Sequence, residues 1–430
     1  MEQSLNPSNE HLALLYRLSQ TFNSSLDLGE VLNQVMDEVI AATHAERGFV
    51  MLVESEGRLA FHAARGLDHQ TIERPDFQVS RGIVERVASL GQPMLTSDAQ
   101  LDERFSMRES VMLLGLRSVM CAPLIVQGRT IGVIFVDNRL RAGIFQPADL
   151  ELLNAIASSA AIAIENARLY QLAVEKGRME QELQMAYRVQ SSLLPAETPQ
   201  LPGWDFAARW KPARQVAGDY YDFIPYPDGR LGLVIADVTD KGMPAALYMA
   251  FTRSIVRASL DGAPSPSEGL MRANRLICAE STFGFFVTLF YAELDPTAGQ
   301  LTYVNAGHNP PLHLRAGDPG PQPLVRTGMP LGIEPELTYG QAVMRLEPGD
   351  LLLLYTDGVT EGCDPQGQQF GLERLQASLL KWRGASCGAL LAGVEQDLAA
   401  FASGALAEDD VTLVAARRLA AAANPSSGAG

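Results

Sequence analysis

LGLVIADVTDKGMPAAL (231–247) passes from six apolar or small residues to two aspartates, Asp237 and Asp240, then through Lys-Gly into helix formers. That order reads as a buried strand with a carboxylate at its tip and a helix directly behind it. Three more acidic clusters flank it in the chain: AGDYYD (217–222), YTDG (355–358) and EDDVT (408–412). Most adjoin an apolar, strand-like run, so a rigid sheet would fix the direction of each carboxylate. Several carboxylates gathered at one rim cannot all stay ionised without cations. A hard divalent metal with a preference for oxygen resolves the conflict, which makes metal-dependent chemistry the first expectation.

The surrounding runs set the fold class. DFAARW (205–210), FFVTLFYAEL (285–294), LTYVNAG (301–307), DLLLLYTD (350–357) and DVTLVAA (410–416) read as further strands. Helical stretches lie near 244–260, 267–280, 371–382 and 388–402. Strands that follow one another directly, with helices grouped between them, predict an antiparallel β-sandwich flanked by helices over 201–418. Upstream, GFVMLV (48–53), RLAFHAA (58–64), SVMCAPLIV (118–126) and RTIGVIFVD (129–137) alternate with helical patterns near 28–42, 82–90 and from Pro147. Gln127-Gly128 between the last two strands signals a hairpin. Residues 1–164 therefore form an α+β unit of sensor size, opened by an amphipathic helix through Leu12, Leu15, Leu18 and Phe22.

Between the two units, 165–200 is almost continuous helix former. Leu169, Leu172, Lys176, Met179, Leu183, Ala186, Gln190 and Leu193 recur at spacings of three and four, with Lys176 and Gln190 as polar interruptions. This is a heptad seam. It predicts a helical signalling linker that dimerises as a coiled coil or lies along one of the units. Residues 419–430 read as a disordered tail.

Composition narrows the function classes. A chain of 430 residues, 47% hydrophobic and 20% charged, is globular and long enough for two or three domains. Its net charge of −16 argues against nonspecific nucleic-acid binding. No apolar run reads as the roughly 20 residues of a membrane span, and the N-terminus lacks a signal-peptide pattern. Cys121, Cys278, Cys363 and Cys387 show no CxxC spacing and read as reduced thiols, so a cytoplasmic protein is expected.

Eight motifs in one order make the second unit specific: VQSSLLP (189–195), VAGDYYDF (216–223), IADVTDKGMPAAL (235–247), FVTLFYAELD (286–295), YVNAGHNPP (303–311), PLG (330–332), PGDLLLLYTDGVTE (348–361) and EDDVTLV (408–414). Together they resemble the PPM-type serine/threonine phosphatases of the RsbU/SpoIIE branch. The resemblance implies Asp219, Asp237, Asp357 and Asp409 as the catalytic metal-binding carboxylates, with the Val238 carbonyl as a further oxygen. It also implies two Mn²⁺ or Mg²⁺ ions and a phosphoserine or phosphothreonine protein as substrate, such as a STAS-type anti-sigma-factor antagonist.

Asp222 and Asp410 then become hydrogen-bonding neighbours, with a turn-forming role as the alternative for Asp222, and Glu408 caps or flanks the last strand. Asp240 stands where many relatives carry glycine. Lys241 and Arg214 are either the nearest cations for steering a phosphate or plain surface residues, and His308 is either a general acid or a structural histidine. Thr239 stands where eukaryotic relatives carry histidine. AERGFVMLV (45–53), the 82–105 segment and RSVMCAPLIVQGRTIGVIFVDN (117–138) resemble a GAF domain, which implies either a small-molecule pocket of unknown ligand or a ligand-free dimerisation module; Cys121 reads as core. The expectation is a GAF-regulated protein phosphatase, forming a homodimer and binding neither nucleic acid nor membrane. A noncatalytic phosphoprotein-binding scaffold is the alternative. A nucleotide cyclase would leave TDG and DDVT without a role.

Overall fold

The computed structural model describes residues 16–22, 24–54, 57–66, 68, 70–72, 79–102, 116–280, 284–404 and 409–420. Leu12, Leu15, part of the 82–105 segment, Glu408 and most of the tail lie outside the described residues. Two compact units divide at Met179/Glu180.

In the first unit, α1 (Leu28–Thr43), β1 (Arg47–Val53), β2 (Leu59–Gly66), α2 (Arg81–Leu90), β3 (Met94–Thr96), β4 (Ser118–Val126) and β5 (Arg129–Asn138) build one antiparallel sheet in the order β2-β1-β5-β4-β3. Asp27 caps α1 by accepting a hydrogen bond from the Glu30 amide. The predicted hairpin is present: Gln127 (φ 50°) and Gly128 (φ 77°) join β4 to β5, with Val126 facing Arg129. Alternation splits each strand between two cores. Val50, Leu52, Ala122 and Ile134 face α1 and a long helix α3 (Pro147–Leu193), while Phe49, Met51, Cys121 and Phe135 face α2. Cys121 is fully buried and burial pushes its thiol up, as a core residue requires.

Helix α3 is a single element of 47 residues. Its most apolar window is long enough to cross a membrane, yet Leu153, Ile156, Ala160 and Ile164 are core residues of the first unit. Further along, Leu169, Leu172 and Met179 of the seam stay 54%, 53% and 64% exposed.

The second unit is a sandwich of two five-stranded antiparallel sheets. One, ordered β13-β10-β9-β8-β7, contains β7 (Tyr220–Pro225), β8 (Leu231–Val238), β9 (Val287–Asp295), β10 (Gln300–Ala306) and β13 (Ala342–Arg345). The other, ordered β12-β11-β14-β15-β6, contains β6 (Trp204–Lys211), β11 (Leu312–Leu314), β12 (Gln322–Pro323), β14 (Leu351–Tyr355) and β15 (Val411–Arg418). Leu233, Ile235 and Phe290 of one sheet meet Leu352, Leu354 and Val414 of the other to form the central layer. Val234, Ala236 and Tyr291 point outward under α4 (Met243–Leu260) and α5 (Pro266–Glu280). On the opposite face, Leu353, Leu413 and Ala415 lie under α7 (Gly371–Lys381) and α8 (Cys387–Ala402). A short α6 (Asp357–Glu361) follows β14. The architecture is thus α+β, with the sandwich and flanking helices that the strand pattern predicts.

Candidate functional site

Strand pairing alone collects the acids. Asp219 precedes β7 and Asp237 ends β8; the two strands are antiparallel neighbours, with Tyr220 opposite Ala236. In the other sheet Asp357 follows β14 and Asp409 precedes β15, again antiparallel neighbours, with Tyr355 opposite Leu413. Period-two alternation then decides direction. Asp237 shares the face of Leu233 and Ile235, toward the facing sheet, and Asp219 shares that of Phe223. Asp222 has the opposite parity and turns toward α4.

Asp219 is the pivot between the sheets. It is 1% exposed, and its Oδ2 accepts from Thr356 Oγ1 (2.7 Å) and Thr412 Oγ1 (2.6 Å) of the other sheet. Burial, then the neighbouring Asp237 and Asp410, hold its carboxyl well above the usual carboxylate range, against the opposing pull of the two hydroxyls. Asp237 is raised by burial and then by Asp357 and Asp409, and it lies within hydrogen-bond reach of Asp219. Burial, Asp409 and Glu361 bring Asp357 to about 6. Mutual elevation of this kind marks carboxylates that share one space.

Two glycines make the close approach possible. A Cβ on Gly218 would stand 3.0 Å from the Val238 carbonyl oxygen, so the AGD loop lies directly against that carbonyl. A Cβ on Gly358 would overlap the Asp410 carbonyl oxygen. Asp410 is no ligand candidate here: its two oxygens accept from the Ala213 and Gly218 amides, both at 2.8 Å, and so tie the AGD loop to β15. This is the hydrogen-bonding neighbour expected of it.

Asp222 is neither a neighbour of the rim nor a turn former. It is 2% exposed and pairs with Arg253 (3.0 Å) and Arg257 (2.8 Å), fastening α4 to β7. Asp240 is exposed and adopts φ 76°, which explains why glycine suits that position, and its Oδ1 accepts from the Lys241 amide. Thr239 is tied to Phe286 through its own amide and hydroxyl. Lys241 Nζ lies 2.9 Å from Asp409 Oδ2, with Arg214 close enough to repel it. His308 is 2% exposed, its Nδ1 is 2.8 Å from the Thr288 hydroxyl, and burial lowers it to about 3. Its burial and its bond to Thr288 support the structural reading of this histidine.

One residue carries more than its sequence context suggests. Gln190, a polar break in the heptad seam, is 4% exposed, and its side-chain amide brackets Ala217 from both sides. Nε2 donates to the Ala217 carbonyl (2.6 Å) and Oε1 accepts from the Ala217 amide (3.1 Å). Tyr187, one turn earlier, stacks on Trp210 (5.6 Å between ring centres), whose indole N–H donates to the Asp219 carbonyl at 2.9 Å. The end of α3 therefore holds the AGD loop at two points. The only sequence signal was a buried-type polar residue inside the VQSSLLP motif.

The donor set is all oxygen, crowded and mutually destabilised, which fits a hard divalent cation. Among the described residues, no group of three His, Cys, Asp or Glu side chains is placed so that it could hold a metal ion. In the first unit a cavity of about 750 Å³ lies between β1, β2 and α2, lined by Met51, Phe61, Val84, Arg58, Arg81 and Glu85 among others.

Known proteins give this geometry its context. Residues 227–419 match the family model Stage II sporulation protein E (SpoIIE), and 27–164 match the GAF domain model. Phosphoserine phosphatase RsbU of Bacillus subtilis is 36% identical over 187 residues, covering 43% of this chain and 54% of RsbU. Protein IcfG of Synechocystis sp. is 30% identical over 273 residues, covering 57% of this chain and 43% of IcfG. The chain thus spans about half the length of these curated relatives. The SiaA-PP2C domain of Pseudomonas aeruginosa superimposes with a TM-score of 0.52 at 20% identity, covering 57% of this chain and 98% of that domain, and shows the same fold. The chain thus carries a region matching the GAF domain, residues 27–164, followed by one matching the SpoIIE family, residues 227–419.

Proposed function

We propose that this protein is a metal-dependent phosphoserine/phosphothreonine protein phosphatase whose turnover is set by its GAF domain through α3. The observation that carries the reading is the match to the SpoIIE model and to RsbU over this unit, supported by Asp219 and Asp237 at adjoining strand ends of one sheet and Asp357 and Asp409 at adjoining strand ends of the other. Two Mn²⁺ or Mg²⁺ ions held by these four carboxylates and the Val238 carbonyl would supply a nucleophilic water at neutral pH and neutralise phosphoryl charge. We assign Asp237 the central position among the four, because burial and then Asp357 and Asp409 of the facing sheet raise it while Asp219 of its own sheet lies within hydrogen-bond reach. The hydroxyls of Thr356 and Thr412 fix one oxygen of Asp219 and leave the other for ligation. Asp410 positions the AGD loop, and Asp222 anchors the helix behind it.

The substrate we assign is a phosphorylated protein, specifically a STAS-type anti-sigma-factor antagonist of a partner-switching pathway in the cytoplasm. The exposed seam of Leu169, Leu172 and Met179 supports a homodimer joined along α3. The bonds from Gln190 and the Tyr187–Trp210 stack support gating, because a shift of the helix would move Ala217 and Asp219 directly. The test is manganese-dependent phosphate release from a phosphoserine protein by wild type, Asp237→Ala and Asp357→Ala. Equal rates in all three would sink the assignment.

A further inference from the structure

We propose that Lys241 is an internal cation that occupies the Asp409 side of the site, so that divalent metal and phosphoryl group bind there cooperatively. The inference rests on the metal reading above and adds to it a residue outside the ligand set.

Lys241 starts from the loop after β8 in one sheet and ends on Asp409, which precedes β15 in the other, so its side chain crosses the carboxylate rim. The loop that presents it is firmly held. Thr239 bonds Phe286 in both directions, at 3.1 Å each, and the Lys241 amide donates to Asp240 Oδ1 at 2.8 Å. Two left-handed residues, Asp240 (φ 76°) and Gly242 (φ 82°), bracket Lys241 and turn the chain sharply there. The resulting pair is wet: the Lys241 and Asp409 side chains are 40% and 29% exposed, so solvent and ions reach both groups. Asp219, by contrast, is buried and held by hydroxyls.

An ammonium 2.9 Å from Asp409 Oδ2 and a divalent ion on the same carboxylate repel strongly. A metal arriving at Asp409 must therefore displace Lys241. An incoming phosphoryl group offers the displaced ammonium a new anion within reach. Each ligand then removes an obstacle to the other, and the coupling is reciprocal.

The experiment is calorimetric titration of Mn²⁺ into the full chain, with and without inorganic phosphate, for wild type, Lys241→Met, Lys241→Arg and Asp237→Ala. An exposed ion pair of this kind is worth a factor of about two to five in affinity. Lys241→Met is expected to bind Mn²⁺ tighter by that factor without phosphate, and Lys241→Arg to stay near wild type. Phosphate should tighten Mn²⁺ binding to wild type and do so less in Lys241→Met. Equal or weaker Mn²⁺ binding by Lys241→Met overturns the inference while leaving the metal site intact, as does undiminished phosphate coupling. Wild-type binding that Asp237→Ala does not impair overturns the metal reading itself, and this inference with it.

Discussion

Gly358→Ala is the sharpest perturbation of the candidate site, because it adds one methyl group between two of the proposed ligands. Gly358 follows Asp357, and its added Cβ would overlap the Asp410 carbonyl oxygen while standing 3.2 Å from the Asp409 carbonyl carbon. Both neighbours are backbone, so no side chain can swing aside. Restoring an ordinary carbon–oxygen contact of about 3.3 Å means parting α6 from the start of β15 by about 1 Å. That movement changes the distance between Asp357 and Asp409. Overpacking of this kind costs about 1–3 kcal/mol of stability, and a misplacement of about 1 Å at a reacting centre costs about 100-fold in rate. We expect Mn²⁺ affinity to fall at least about tenfold and phosphate release about 100-fold, in protein that is still folded by thermal unfolding. Gly362→Ala is the control: its Cβ would press on Leu398 Cδ1 at 2.9 Å, a flexible side-chain end, and touch the Gly358 carbonyl oxygen only at an ordinary 3.4 Å. Wild-type Mn²⁺ affinity and turnover in Gly358→Ala would refute the claim that these two carboxylates work at a fixed separation.

Three further outcomes follow from the same geometry. Asp222→Ala leaves Arg253, 13% exposed, without its buried partner; urea unfolding should show a loss of about 3–5 kcal/mol with Mn²⁺ affinity unchanged, and weakened metal binding would return Asp222 to the site. Gln190→Leu strips both partners from the Ala217 backbone, so stability should drop by about 1–3 kcal/mol and Mn²⁺ binding should weaken; no change in either would remove α3 as a route to the site. His308, lowered by burial to about 3, takes up its proton in the unfolded chain first, so its contribution is complete above the ordinary histidine range and is lost as pH falls toward 3. Between pH 7 and 5 the stability advantage of wild type over His308→Gln should shrink by about 2 kcal/mol; a constant gap would show that the ring is not buried neutral.

Long strands and the acids at their tips were legible because both signals are local. LGLVIAD is apolar whichever face is inward, and the Gln-Gly turn dictates its own hairpin. The residues alone offered eight acids in four clusters, and only the resemblance of their motifs singled out Asp219, Asp237, Asp357 and Asp409 among them. The roles of their neighbours were not legible, since they depend on parity and on distant partners. Asp222 is three residues from Asp219, yet one step of alternation sends it toward Arg253 and Arg257 on another layer. Thr356 and Thr412 were read only as strand residues, and their common acceptor lies 137 and 193 residues away. Strands as short as β11, β12 and β13 carry too few residues for a period to show. Gln190 looked like a fault in a dimer seam because a heptad pattern cannot say where the seam ends and a docking contact begins.

That last contact has a consequence for how this chain can change length. A helix turns about 100° and advances about 1.5 Å with each residue. Because Gln190 and Tyr187 are fixed at the AGD loop and Trp210, a residue inserted upstream in α3 leaves that loop undisturbed and rotates the upstream face of the helix. Seven added residues return the helix to within about 20° of its starting phase, whereas one or two do not. Only insertions of near-whole heptads therefore keep the upstream face of α3 in phase with the Gln190 contact.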